Sequence, residues 1–290
     1  MKIKAIIVST ISIIITILLI ILVTNGESLQ SLRYSKNNII DEIALEEVYK
    51  EIKDINIDSE ASLIEINEYD SQDVKVIIHT YKENLKVEEN QSLNINIIEE
   101  KEKCEFLCFN QKISKIEIYL PKTYNKQIKI KNEIGDIQVG NLPSLNIDIE
   151  EQLGNIDIKN IKNVNIKDEL GNITVNKSEQ TKLIISKGNA ELEEIKDAII
   201  KINIGNIKIN KITNYVNLII DNGNIDITSA NINVDSIIKC DLGDIKIDNI
   251  NDIYIDAKTD TKDIKINKSN KNSNIKLVVR NSTGKIKIDN

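Results

Sequence analysis

The chain has 290 residues, with 45 acids against 38 bases, a net charge of −7, no tryptophan and a single histidine, His79. That length supports a sizeable core. The acidic balance and the scarcity of stacking rings argue against a nucleic-acid partner, and one histidine leaves no Ser-His or Cys-His machine unless His79 is its centre.

Residues 1–4 carry Lys2 and Lys4 and precede an uncharged apolar run at 5–23. Nineteen residues at a helical rise of about 1.5 Å span roughly 28 Å, close to the hydrocarbon thickness of a bilayer. The expectation is a single-pass anchor at the cell membrane. The lysines hold residues 1–4 in the cytoplasm, and the rest of the chain lies outside. A cleaved signal peptide is the competing reading; its apolar region is usually shorter and ends in small residues, whereas this run leads into Thr24-Asn25-Gly26.

Residues 24–51 read as a polar stalk or linker. The spacing of Ile39, Ile40, Ile43, Leu45, Val48 and Ile52 also suits a short amphipathic helix. From 52 to 131 the pattern changes to period two, in IKDINID, SLIEIN, DVKVII, SLNINII and KIEIYLP, the signature of half-buried strands. His79 closes one of these segments with no nucleophile or metal partner in view. Cys104 and Cys108, spaced C-x3-C, pair only if the segment bends, since an extended strand holds them apart; buried small hydrophobes are the plainer reading. Cys240 is left over.

From 132 to 290 the chain repeats. G-[N/D]-I-x-[I/V/L] recurs with first residues Gly135, Gly154, Gly171, Gly188, Gly205, Gly223, Gly243, Lys262 and Gly284, at intervals of 17 to 22 residues. Eight of the ten glycines occupy this one position. The physical reading is an all-β parallel β-solenoid, a single-stranded β-helix of about nine coils with glycine at each corner. Its aliphatic pairs stack inward, and Asn155, Asn172, Asn189, Asn206 and Asn224 form an amide ladder. Acidic corners such as Asp221 to Asp226 offer oxygens, and calcium takes six to eight, but each coil has one glycine where calcium-binding coils carry G-G-x-G-x-D. A turn without metal is the preferred reading, and no metal or cofactor is expected.

The anchor, the alternating strands, the I-E-I-Y-L-P step at 116–121 and the serial coils together resemble the bacterial putative-adhesin family, a β-strand-repeat domain of otherwise unknown function. The resemblance covers roughly 52–290. It implies a β-helix at the cell surface and brings no catalytic residues.

Residues 261–290 hold eight bases and two acids, which leaves −13 for the other 260 residues. Lys262, Lys265, Lys268, Lys285 and Lys287 are the candidate contacts to an anionic wall polymer, with Lys246, Lys265 and Lys287 in one outward ladder. The other reading of these lysines is protection of an open strand edge against stacking. Three functions follow as expectations: a surface binding or adhesin-like module without catalysis, an accessory of an envelope-stress system acting through another envelope protein, and, least favoured, a polysaccharide-acting enzyme. The last would need paired carboxylates in a groove.

Overall fold

A computed structural model describes residues 39–51, 54–90, 92–98 and 112–289. The run at 5–23, most of the linker, Cys104 and Cys108 lie outside them. Among the described residues no helix is long and apolar enough to cross a membrane.

The compact body comprises residues 40–100 and 113–290. Its strands in chain order are β1 (Ile43–Tyr49), β2 (Asp54–Tyr69), β3 (Val74–His79), β4 (Leu85–Glu89), β5 (Ser92–Ile97), β6 (Ser114–Pro121), β7 (Gln127–Ile134) and β8 (Ile137–Leu153). Then come β9 (Ile156–Leu170), β10 (Ile173–Lys187), β11 (Ala190–Ile204), β12 (Ile207–Asn222), β13 (Ile225–Ala230), β14 (Ser236–Leu242) and β15 (Ile245–Ile247). The chain finishes with β16 (Tyr254–Thr259), β17 (Ile264–Ile266), β18 (Lys276–Thr283) and β19 (Ile286–Ile288). All are linked by hydrogen bonds into one continuous sheet wound as an all-β solenoid of about nine coils. Residues 43–49 make a strand paired antiparallel to β3, not the short helix that their aliphatic spacing allows. Ile40 and Tyr49 are buried there, and the edge of β3 supplies partners that an isolated short helix lacks.

In the central coils each strand runs nearly from corner to corner and bends once. In β9 the buried residues are Ile156, Ile158, Ile161, Val164, Ile166 and Asp168. Alternation slips from two to three at Ile161 and Val164, where the strand turns from one flat face to the other. We call the faces A, immediately after each corner glycine, and B, leading to the next. Parallel register stacks like on like, so Ile156 meets Ile173 and Ile166 meets Leu183. The longer coils accommodate their extra residues at the bend: register shifts fall between Leu142 and Asn146, where Pro143 stands, and between Ile195 and Asp197.

Every repeat glycine sits against the corner carbonyl of the coil before it. A Cβ on Gly188 would fall on the Gly171 carbonyl oxygen, and Gly188 also holds φ of +154°. Six of the eight corner glycines share such a positive φ; Gly154 and Gly171 do not, so lack of room for a Cβ is the requirement common to all.

Sequence order and stacking order part company at both ends. The first half of β2 lies between β5 and β7, and its second half between β6 and β8. The chain therefore starts in the second coil, steps outward to make the first, and returns at β7. Segment 54–131 thus supplies irregular coils of the same solenoid, edged by the antiparallel strands β1, β3 and β4. At the other end β18 and β19 insert between β14–β15 and β16–β17. The Lys262 coil is outermost and the Gly284 coil lies beneath it. The corner also changes: Lys262 takes φ of 61°, and the hydroxyls of Thr259 and Thr261 both donate to the Gly284 carbonyl, at 3.2 and 2.8 Å.

Candidate binding surfaces

The candidate lysines gather at the C-terminal end of the solenoid. Because the last two copies exchange places, the expected ladder is ordered Lys246, Lys287, Lys265, with Lys287 in the middle. Acids from within this end and from just upstream pair with several of these bases. Lys268 meets Asp252 at 3.1 Å, Lys285 meets Asp263 at 3.7 Å and Lys287 meets Asp289 at 2.6 Å. Lys276 and Arg280 share Asp256 at 2.7 and 3.1 Å, and the Arg280 guanidinium followed by Lys276 holds that carboxyl below its usual range. Over 252–290 nine bases face five acids, a weaker excess than 261–290 shows alone. Among the described residues, Lys262, Lys265 and Lys271 have no carboxylate at ion-pair distance.

A second cationic feature runs along face B. The outward residue four places before each corner, in stacking order, is Lys131, Glu150, Lys167, Ile184, Lys201, Ile219, Lys239, Arg280 and Lys258. Neighbouring strands lie about 4.8 Å apart, so Lys131, Lys167, Lys201 and Lys239 recur about 10 Å apart, with Glu150, Ile184 and Ile219 between them, before Arg280 and Lys258 follow in adjacent coils. On face A three bases of the central coils are paired from coil to coil, Lys208 with Glu191 at 2.6 Å, and Lys177 and Lys211 with Glu194 at 3.4 and 3.2 Å. In the face-B row, Lys131, Lys167, Lys201, Lys239 and Lys258 have no ion pair among the described residues. Two places further along each strand is an acidic corner row that includes Glu133, Glu169, Asp221, Asp241 and Asp260. The face is thus striped rather than uniformly basic.

The residues of this row are 17 to 41 positions apart and form no charge run, so no local cluster in the sequence marks them. Aligning the copies on their glycines exposes the column. On the same face Ile184 and Ile199 are 41% and 47% exposed, and a groove of about 680 Å³ lies at the mid-strand bend where face B begins. Its lining includes Gln127, Asn146, Asn163, Gln180, Asp197 and Tyr215, groups suited to hydroxyl-bearing ligands.

His79 ends β3 with Nε2 3.5 Å from Glu117, whose carboxyl also meets Lys115 at 3.0 Å; it belongs to an ion-pair cluster between strands. Among the described residues no three His, Cys, Asp or Glu side chains converge on a cation-sized space. Cys240 is buried, and its thiol donates to the Gly223 carbonyl at 3.2 Å.

The family model described as Toastrack DUF4097 matches residues 52–290. Among solved structures, the chain is similar to one described as a putative adhesin from Bacteroides fragilis, at 16% identity and a TM-score of 0.43, over 86% of this chain and 97% of that one. A second, described as a putative adhesin from Parabacteroides merdae, matches at 12% identity and a TM-score of 0.45, over 87% and 97% of the two chains. A third, described as a putative cell adhesion protein from Clostridium sporogenes, matches at 13% identity and a TM-score of 0.29, over 86% and 99%. No curated protein matches the chain.

Proposed function

The chain belongs to the Toastrack DUF4097 family, and from that premise we propose that it is a membrane-anchored, extracytoplasmic binding module of the adhesin type, which works without catalysis. The anchor is the run at 5–23, with the N-terminus cytoplasmic, and the ligand is an elongated anionic polymer of the cell envelope. The observation that carries this reading is the face-B row of unpaired lysines leading to the basic C-terminal end. An extended ligand lying along the row meets a cation at every second coil from Lys131 to Lys239 and at each of the last three, Lys239, Arg280 and Lys258. The acidic row beside it confines the ligand to that line. The groove amides on the same face suit a polymer that also bears hydroxyls.

The exposed pair Ile184 and Ile199 favours a second reading, contact with another envelope protein, as in an accessory of a stress-response system. Affinity separates the two. A linear sulfated polysaccharide and a neutral glucan of equal length, titrated against the full-length chain, test the first. Tight, salt-sensitive binding of the polyanion alone supports the polymer reading. Equal weak binding of both favours the protein partner.

A further inference from the structure

The inward position three places before each corner holds, in stacking order, Ser59, Asn132, Glu151, Asp168, Ile185, Ile202, Ile220, Cys240, Asn281 and Thr259. Four of these polar side chains make the same hydrogen bond, donating to the corner carbonyl of the coil beneath. Asn132 Nδ2 donates to Ser62 O at 3.1 Å, Cys240 Sγ to Gly223 O at 3.2 Å, Asn281 Nδ2 to Gly243 O at 2.9 Å, and Thr259 Oγ1 to Gly284 O at 3.2 Å. In these four coils the side chain supplies a donor, whereas Ile185, Ile202 and Ile220 fill the position with hydrocarbon.

Glu151 and Asp168 occupy it in consecutive coils, 2% and 1% exposed. Glu151 Oε1 and Asp168 Oδ2 lie 3.2 and 3.1 Å from where a Cβ on Gly154 or Gly171 would stand. That same point falls on the carbonyls of Gly135 and Gly154. Asn132 Nδ2 takes the matching place at the Gly135 corner, 3.4 Å from the corresponding point. As carboxylates, both acids would set acceptor against acceptor. Glu151 Oε1 accepts a long hydrogen bond from Asn132 Nδ2 at 3.4 Å. Glu151 Oε2 and both oxygens of Asp168 have no partner at full hydrogen-bond geometry, only backbone amides nearby, and a buried ion so poorly satisfied is far costlier than a neutral acid.

We propose that Glu151 and Asp168 are neutral carboxylic acids in the folded protein, each donating its proton to the corner carbonyl of the preceding coil, so that bound protons latch the Gly135–Gly171 corners and their loss loosens them. The surroundings agree from every side. Asn132 on β7 faces Glu151 from below and the apolar Ile185 on β10 faces Asp168 from above. Asp136 and Asp168 repel a charge on Glu151, Glu169 repels one on Asp168, and no base is among the groups that shift either. Burial is the main cause that raises Glu151 to about 9 and Asp168 to about 7, against the opposing pull of Asn132 and nearby backbone amides.

The sign follows from linkage. Each acid is harder to ionise folded than unfolded, so its contribution is complete below its unfolded-state pKa and is gone once pH passes the folded-state value. For Asp168 the decline runs from about 3.8 to about 7, and for Glu151 from about 4.5 to about 9. Within its window each acid lowers the folding equilibrium constant by up to tenfold per pH unit.

Infrared titration of the full-length chain tests this. At about pH 6, above the ordinary carboxyl range, we expect a carboxylic-acid C=O band that bleaches in two steps as pH rises. D168N should remove the lower step and E151Q the upper one. Stability of the double variant, whose amides remain donors at all pH values, should lack the alkaline decline. Absence of the band from the wild-type chain, or its survival in the double variant, overturns the proposal. If the double variant does not fold, the wild-type band and the single variants decide.

Discussion

Lys246 is in register with Lys287, not with Lys265, the next copy of the repeat along the chain. Residues 276–288 therefore form an interior coil, held on one side by β14–β15 and on the other by β16–β17. It carries the buried side chains Leu277, Val279, Ile286 and Ile288.

Removal of residues 276–290 should consequently do more than shorten the solenoid. Four buried aliphatics at about 1.5–3 kcal/mol each put the loss at roughly 6–12 kcal/mol, and the outermost strands lose their parallel partners. Circular-dichroism melting should show a lower, broader transition, with aggregation through the newly open edge. A truncated chain that melts like the intact one would contradict the interleaved order.

Much of this fold is legible in the amino-acid sequence. The corner glycines, the inward I-x-I pairs and the amide ladder follow directly from an interval near 17 residues. The interleaving is not legible, because register states which residues share a face and not which coil stacks on which. The exchanged coils have the same inward pattern as their neighbours. Hydrophobic periodicity likewise suggests a helix at 43–49, where the free edge of β3 decides for a strand. The basic end is visible as a charge run, but the acids that neutralise part of it, Asp252 and Asp256, lie upstream of that run. The face-B row emerges only with the strand register.

Corner clearance separates two kinds of glycine. Gly188→Ala places a methyl on the Gly171 carbonyl at a positive φ and should cost about 2–4 kcal/mol. At Gly140 the nearest obstacle is the flexible Glu68 carboxylate at 2.7 Å, so Gly140→Ala should cost about 1 kcal/mol or less. Denaturant titrations of the two variants measure the gap, and equal losses would remove backbone clearance as its cause.

Asn189 Oδ1 accepts from both the backbone amide and the side chain of Asn206, at 2.9 and 3.2 Å, while its own side chain donates to Asn172 at 3.2 Å. Asn189→Ala should cost about 1 kcal/mol. Asn189→Asp should cost less, because it keeps the acceptor that Asp136 supplies to Asn155 at the corresponding corner, at 2.8 Å. A ranking in which Asp is worse than Ala would mean that donation to Asn172 dominates.

The binding role rests on the unpaired face-B cations, and co-sedimentation of the full-length protein with purified cell wall tests it most directly. Lys167→Gln, Lys201→Gln and Lys239→Gln together should reduce retention about tenfold or more and flatten its salt dependence. Lys177→Gln, Lys208→Gln and Lys211→Gln on face A should leave it unchanged. Equal retention of both triple variants and the unaltered chain would contradict the proposed surface.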